Sequence, residues 1–252
     1  IRAGRVSVHA EAPGAAVLRR AGSVPVIAIG GTANRLPVGD VHIAGLVIQL
    51  GSLADQRGGF EGLVAVAEDA RRVTFDSCRF AVQDFAGRIA GAWIGGAEVT
   101  LRDCVFERLP VGVAVLDPAR DVSVLDSAFL ADGTPEPEED SGAIAIGVEG
   151  CRGVLRAERN AISGYRQGIV LGTDASGEKG VGTALASIVG NVVLRTGPRE
   201  AAEEPVITRQ PGAAVTTLPA GAVETRGALL RTNLARGDAI ARRSLAAVDV
   251  KA

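Results

Sequence analysis

The most regular feature of this sequence is a short motif in which hydrophobic and polar residues alternate. Four clear copies read VHIAGLVI, VTFDSCRF, VTLRDCVF and VSVLDSAF, and two looser copies read LRAERNAI and ASIVGNVV. They begin at residues 41, 73, 99, 122, 155 and 186, so the intervals are 32, 26, 23, 33 and 31 residues. The third and eighth positions are apolar, and the alternation predicts a strand with one buried face. A period of about 20–50 residues predicts stacked repeats, none of which buries its apolar face alone.

A second short strand follows within each repeat. Its copies occupy residues 24–30, 61–68, 90–96, 111–117, 142–148 and 167–173. Each copy is entered or left through Gly, Asp or Pro, the residues that turns require. Two or three strands per repeat, without helical spacing between them, predict a coil of β-structure. Helical solenoids and leucine-rich repeats are excluded, because they need amphipathic helices or LxxLxL spacing.

One column of the motif suggests a family. Its sixth position holds Leu46, Cys78, Cys104, Ser127, Asn160 and Asn191. With this column and its turns of variable length, the chain resembles the right-handed parallel β-helix proteins of the pectate-lyase-like superfamily over residues 5–210. The resemblance implies that like side chains stack on successive coils, often as an asparagine ladder. We expect an all-β, right-handed parallel β-helix (β-solenoid) of roughly 7–9 coils over residues 1–212, with residues 213–252 as a C-terminal cap or junction.

Composition narrows the partners of such a fold. A net charge of −2 argues against a dedicated nucleic-acid binder, which would carry a strongly basic surface. No uncharged stretch reaches the roughly 18 apolar residues of a membrane span. The chain has no Met and no signal-like start, so a processed chain or an excised domain is expected. The compartment stays open, with an extracellular, surface or particle-associated location favoured and a homo-oligomer as one alternative.

The cysteines and histidines suggest packing more than chemistry. Cys78 and Cys104 share a column on neighbouring coils, where they form either a disulfide or a buried pair of small apolar side chains. Cys151 follows a strand, and we expect it in a turn, where it is labelled more readily than the other two. The only histidines, His9 and His42, are each flanked by Val, which favours structural packing or plain exposure over catalysis.

Carboxylates are the best candidates for a catalytic or cation site. Asp103 and Asp126 share the fifth position on successive coils, and Glu158 and Arg159 occupy the matching turn of the next copy. Acids on adjacent coils suit a retaining glycosidase or a shared Ca²⁺, and the resemblance implies lyases that use outward acids for calcium and an Arg as base. A loop that contains Glu138, Glu139 and Asp140 is a weaker Ca²⁺ candidate; no other cofactor is expected.

Aromatic residues are too few for a sugar-processing cleft. The chain has one Trp, one Tyr and six Phe, and the motif assigns Phe75, Phe80, Phe106 and Phe129 to the core. The aromatic residues left for a ligand or partner surface are Phe60, Phe85, Trp93 and Tyr165. We expect a rigid, non-catalytic scaffold or recognition module of an extracellular, surface or phage-tail-like assembly, with protein partners or a surface glycan. The alternative is a polysaccharide lyase or glycoside hydrolase of the pectate-lyase-like superfamily, because that superfamily hosts many activities.

Overall fold

The computed structural model describes most of the chain as short β-strands joined by turns. The described residues are 1, 5–20, 25–31, 38–51, 61–83, 89–96, 98–131, 144–165, 167–171, 182–194, 207–209, 229–231 and 234–236. Within them the regular structure is entirely β. No helix in this part of the chain is long and apolar enough to cross a membrane.

The strands form three parallel sheets. The first contains β1 (Val6–His9), β4 (Val38–Ala44), β7 (Ala70–Asp76), β10 (Glu98–Arg102), β13 (Asp121–Leu125), β16 (Gly150–Glu158), β19 (Gly182–Val189) and β22 (Leu229–Arg231). The second contains β2 (Ala16–Arg20), β5 (Leu46–Leu50), β8 (Arg79–Val82), β11 (Val105–Glu107), β14 (Ala128–Leu130), β17 (Ala161–Ser163), β20 (Val192–Leu194) and β23 (Leu234–Arg236). The third contains β3 (Ile27–Ile29), β6 (Glu61–Val66), β9 (Ile89–Ile94), β12 (Val111–Val115), β15 (Ile144–Val148), β18 (Gln167–Leu171) and β21 (Ile207–Arg209).

Chain order explains how the sheets stack. Each strand pairs with the strand three positions later in the chain, so three consecutive strands, one per sheet, make one unit, called a coil below. The eight-residue motif spans a strand of the first sheet, a bend and a strand of the second sheet. The second strand expected in each repeat belongs to the third sheet. The all-β prediction is confirmed, and the parallel stacking supports a solenoid-like repeat fold.

Both ends of the chain extend the sheets beyond the motif copies. β1 pairs with β4 and β2 with β5, so residues 6–20 are an earlier copy of the repeat. Between residues 213 and 252, β22 and β23 pair with β19 and β20 and continue the first two sheets. The division at residue 212 and the capping role of this segment stay predictions.

A stack of phenylalanine rings fills the interior. Phe80, Phe106 and Phe129 occupy register-matched positions on β8, β11 and β14. Phe106 stacks on each of the other two rings with centroids 4.6 Å apart, and all three are fully buried. The predicted phenylalanine column is therefore confirmed.

Glycines of the third sheet make room for this stack. A Cβ on Gly112 would lie 2.5 Å from Cδ1 of Phe129, and one on Gly91 would lie 2.7 Å from Cδ1 of Phe106. Bulky rings of the second sheet thus face positions of the third sheet that carry no side chain. This complementary size explains the glycines at positions 91 and 112.

The sixth motif column forms a buried ladder of side chains that bond to the neighbouring coil. The backbone N–H of Ser127 donates to Oδ1 of Asn160 at 3.0 Å, and the backbone N–H of Asn160 donates to Oδ1 of Asn191 at 2.9 Å. The Cys104 amide donates to Oγ of Ser127 at 3.1 Å. Cys78 and Cys104 are buried free thiols, so the packed pair is correct and the disulfide alternative is wrong.

Candidate functional site

The bend between the first and second sheets positions the predicted acidic residues. At this bend one residue per coil adopts a left-handed backbone conformation, with φ of 51° at Asp103, 52° at Asp126 and 56° at Arg159. Ser77 and the glycines of the matching copies, Gly45 and Gly190, have the same sign of φ. Asp tolerates this conformation better than most residues because its short side chain bonds locally. The repeated bend therefore aligns the fifth-position side chains along one edge of the stack.

Six charged residues form a row along this bend, which we call the charged turn row. They are Asp76, Arg102, Asp103, Asp126, Glu158 and Arg159. The Arg159 guanidinium binds Asp126 through two hydrogen bonds, of 2.6 Å from Nε to Oδ1 and 2.7 Å from Nη2 to Oδ2. Its Nη1 also lies 3.4 Å from Oε2 of Glu158.

The other half of the row is organised in the same way. Arg102 forms an ion pair with Asp76 on the preceding coil, and its Nε lies 3.8 Å from Oδ2 of Asp103. Glu158 additionally accepts a hydrogen bond of 2.8 Å from Oγ of Ser187. The structure thus brings Asp126, Glu158 and Arg159 into direct contact, whereas Asp103 lies beside the second arginine.

The arginine pairs disfavour acid–base catalysis by Asp76 and Asp126. The hydrogen bond from Arg159 lowers the pKa of Asp126, and the hydrogen bond from Arg102 lowers the pKa of Asp76, against a smaller opposing effect of burial. The same pairs raise the pKa of both arginines. A general acid requires a raised carboxyl pKa, and an arginine acting as base requires a lowered guanidinium pKa. Here the carboxyl pKa is lowered and the guanidinium pKa is raised, so each shift is opposite to what the catalytic role requires.

The predicted aromatic surface is only partly described. Trp93 lies partly buried on β9, between Ala65 and Ala114 of the adjacent third-sheet strands. Tyr165 is buried, and its ring meets the Phe129 ring edge-on with centroids 6.4 Å apart, so assigning it to a binding surface is wrong. The Tyr165 ring extends the core beyond the phenylalanine stack. Its position just after a strand suggested a surface residue, but the contact with Phe129 buries it. Phe60 and Phe85 lie outside the described residues.

Candidate calcium ligands receive no support within the described ranges. Glu138, Glu139 and Asp140 lie outside the described residues. Within the ranges that the structure covers, no group of three or more His, Cys, Asp or Glu side chains could hold a metal ion. In the charged turn row, calcium binding by Asp76 or Asp126 is disfavoured because an arginine already neutralises each of these carboxylates.

Cys151 differs from its predicted position, and the two histidines make a contact that the motif copies did not predict. Cys151 lies in β16 rather than in a turn, and it is buried with its Sγ 2.7 Å from the carbonyl oxygen of Arg120. Burial raises the pKa of Cys151 to about 11. His9 and His42 come together on the outer face of the first sheet, with ring centroids 4.8 Å apart. The sequence feature that indicates this contact is Val6–His9, an additional first-sheet copy of the repeat that pairs with the strand containing His42.

Comparison with protein-family models, curated proteins and solved structures finds no match to this chain.

Proposed function

We propose that this chain is a rigid, non-catalytic scaffold or recognition module, built as a right-handed parallel β-helix with its C-terminal segment as a cap. The observation that carries the proposal is the pairing of the charged turn row. Asp126 and Glu158, two of the three acids predicted as catalytic candidates, contact Arg159, and the pKa of Asp126 is lowered. A pair that is ionised at neutral pH joins neighbouring coils and supplies neither a proton donor nor a free base there.

The interior supports the rigid part of the proposal. The phenylalanine stack, the thiol and amide ladder and three sheets of backbone hydrogen bonds all join successive coils. Stacked elements of this kind present a long, fixed surface for partners. The proposed partners are proteins or a surface glycan of an extracellular, surface or phage-tail-like assembly, with Trp93 as the described aromatic residue on an outer face.

An activity screen separates this proposal from the lyase or hydrolase alternative. The full chain is incubated with pectate, alginate and neutral glycan panels, with and without Ca²⁺, and product formation is followed. We expect no turnover in any condition. Turnover that is abolished by Asp103→Ala or Asp126→Ala, while far-UV circular dichroism stays unchanged, would refute the scaffold and establish the enzyme. Binding of the same protein to a glycan array, and to immobilised candidate protein partners, then tests recognition directly.

A further inference from the structure

The two histidines of the chain meet on one face of the first sheet. They are 33 residues apart in sequence and are the only histidines present. β1 and β4 pair in parallel with Ser7 opposite His42 and His9 opposite Ala44, so the two imidazoles are diagonal neighbours on adjacent coils. Their ring centroids are 4.8 Å apart with planes at 79°. His9 is exposed and His42 is partly exposed, so both rings are accessible from solvent.

The nearby carboxylates are bound to other groups. Asp40 pairs with Arg5 at 3.2 Å and with Arg72 at 2.8 Å. Asp76 pairs with Arg102 and accepts a hydrogen bond of 3.2 Å from Ser77. These arginines neutralise Asp40 and Asp76, so the cation ligands that this face offers are chiefly the two imidazoles.

The imidazoles themselves have only a weak competitor. His9 Nε2 contacts the hydroxyl of Ser7, whose position opposite His42 places it beside the second ring. A hydroxyl is a neutral partner that can rotate away. The residue opposite His9 on the second coil is Ala44, whose small side chain offers the His9 ring no bulky neighbour at that position.

We propose that His9 and His42 form a two-imidazole binding site for a borderline divalent transition-metal ion such as Zn²⁺, Cu²⁺ or Ni²⁺. Imidazole is a preferred ligand of these ions, with metal–nitrogen distances of about 2.0–2.1 Å for Zn²⁺. Two nitrogens on one tetrahedral ion are then about 3.3 Å apart, a spacing within reach of side-chain rotation for rings in edge contact. No group of three protein ligands exists in the described part of the chain, so water completes the coordination and the ion exchanges readily.

The ion has a structural consequence at this end of the fold. Val8 and Leu18 occupy the columns of the fully or nearly fully buried Ile43 and Ile48, yet they are 37% and 40% exposed. The first coil is therefore held by less burial than the coils that follow. A metal ion shared by β1 and β4 joins this coil to the second one, and a ligand that binds only the folded state stabilises it.

The site is tested with the full chain purified without a polyhistidine tag. Zn²⁺ binding is measured by isothermal titration, and the nitrogen ligands of bound Cu²⁺ are counted by electron paramagnetic resonance. We expect a single site per chain, a two-nitrogen signature and a raised melting temperature with Zn²⁺. His9→Gln and His42→Gln should each weaken binding at least about tenfold, since even loss of an outer-shell partner weakens metal sites by about 10–100-fold.

Matched controls make the outcome decisive. Glu98→Gln removes an exposed carboxylate on a later coil and should leave Zn²⁺ affinity unchanged. Ca²⁺ should not raise the melting temperature, because it prefers oxygen ligands. Both histidine variants keep all three cysteines, so thiol binding would survive in them. Absence of a stoichiometric site, equal affinity in either histidine variant and the parent, or a one-nitrogen Cu²⁺ signature would each overturn the proposal.

Discussion

Replacing Phe106 with alanine measures how much the stacked interior contributes to stability. Phe106 is fully buried, and it contacts a parallel ring on each side at a centroid distance of 4.6 Å. Deleting a buried Phe ring costs about 3–5 kcal/mol, because transfer energy is lost and a cavity remains. Each aromatic contact is worth about 0.5–1.5 kcal/mol beyond burial. Strand pairing fixes the positions of Phe80 and Phe129, so little collapse into the gap is possible and the upper half of the range is expected.

The free energy of unfolding is obtained from urea titrations followed by far-UV circular dichroism and by near-UV signal. Leu130→Ala is the matched control, since this residue lies on the adjacent strand β14 and points outward with 36% exposure. It should change the free energy of unfolding by no more than about 1 kcal/mol. A loss below about 1 kcal/mol for Phe106→Ala, or equal losses for the two variants, would show that the second-sheet register is wrong.

Three further predictions address the glycine positions, the thiols and the charged turn row. Gly112→Ala should lower the free energy of unfolding by about 1–3 kcal/mol in urea titrations, because its Cβ would lie 2.5 Å from a ring and from a carbonyl oxygen; Gly147→Ala, with its nearest neighbour at 3.6 Å, should be tolerated. Native Cys151 should resist thiol labelling at neutral pH as strongly as the other two cysteines, and labelling of the native protein within the mixing time would contradict its burial. Asp126→Asn should destabilise by only about 0.2–1 kcal/mol at neutral pH, since the pair is exposed. Because the pKa of Asp126 is lowered in the folded state, its stabilising contribution is fully present above the ordinary pKa of 3.8 and is lost as the pH falls through the lowered value. The melting temperatures of parent and variant should therefore converge in acid.

The columns of the motif predicted the interior well because repetition samples the same environment several times. Phe80, Phe106 and Phe129 recur at one position despite turns of different length, and only a stacked arrangement satisfies all three. The stacking of the sixth column was an expectation from the resemblance to parallel β-helix proteins. The hydrogen bonds that backbone N–H groups donate to Ser127 and Asn160 are a finding of the structure.

Single-copy features could not be predicted in this way. Tyr165 has no equivalent in other repeats, so nothing in the sequence distinguished a core ring from an exposed one. The contact between His9 and His42 depends on the register of β1 against β4. The bend between β1 and β2 is longer than in the other copies, so the eight-residue motif does not identify this copy. The arginine pairs of the charged turn row depend on side-chain reach across coils, which spacing alone does not specify.

The direction of the backbone hydrogen bonds determines how the molecule responds to mechanical force. In all three sheets these bonds join one coil to the next, so they point along the direction in which the coils stack. Tension along that direction loads the terminal coil first and peels the structure apart a few bonds at a time. Tension across it is carried by the covalent chain within each coil and by the whole stack at once. Partners attached to the sides of the coils would therefore be held far more firmly than partners that pull on an end.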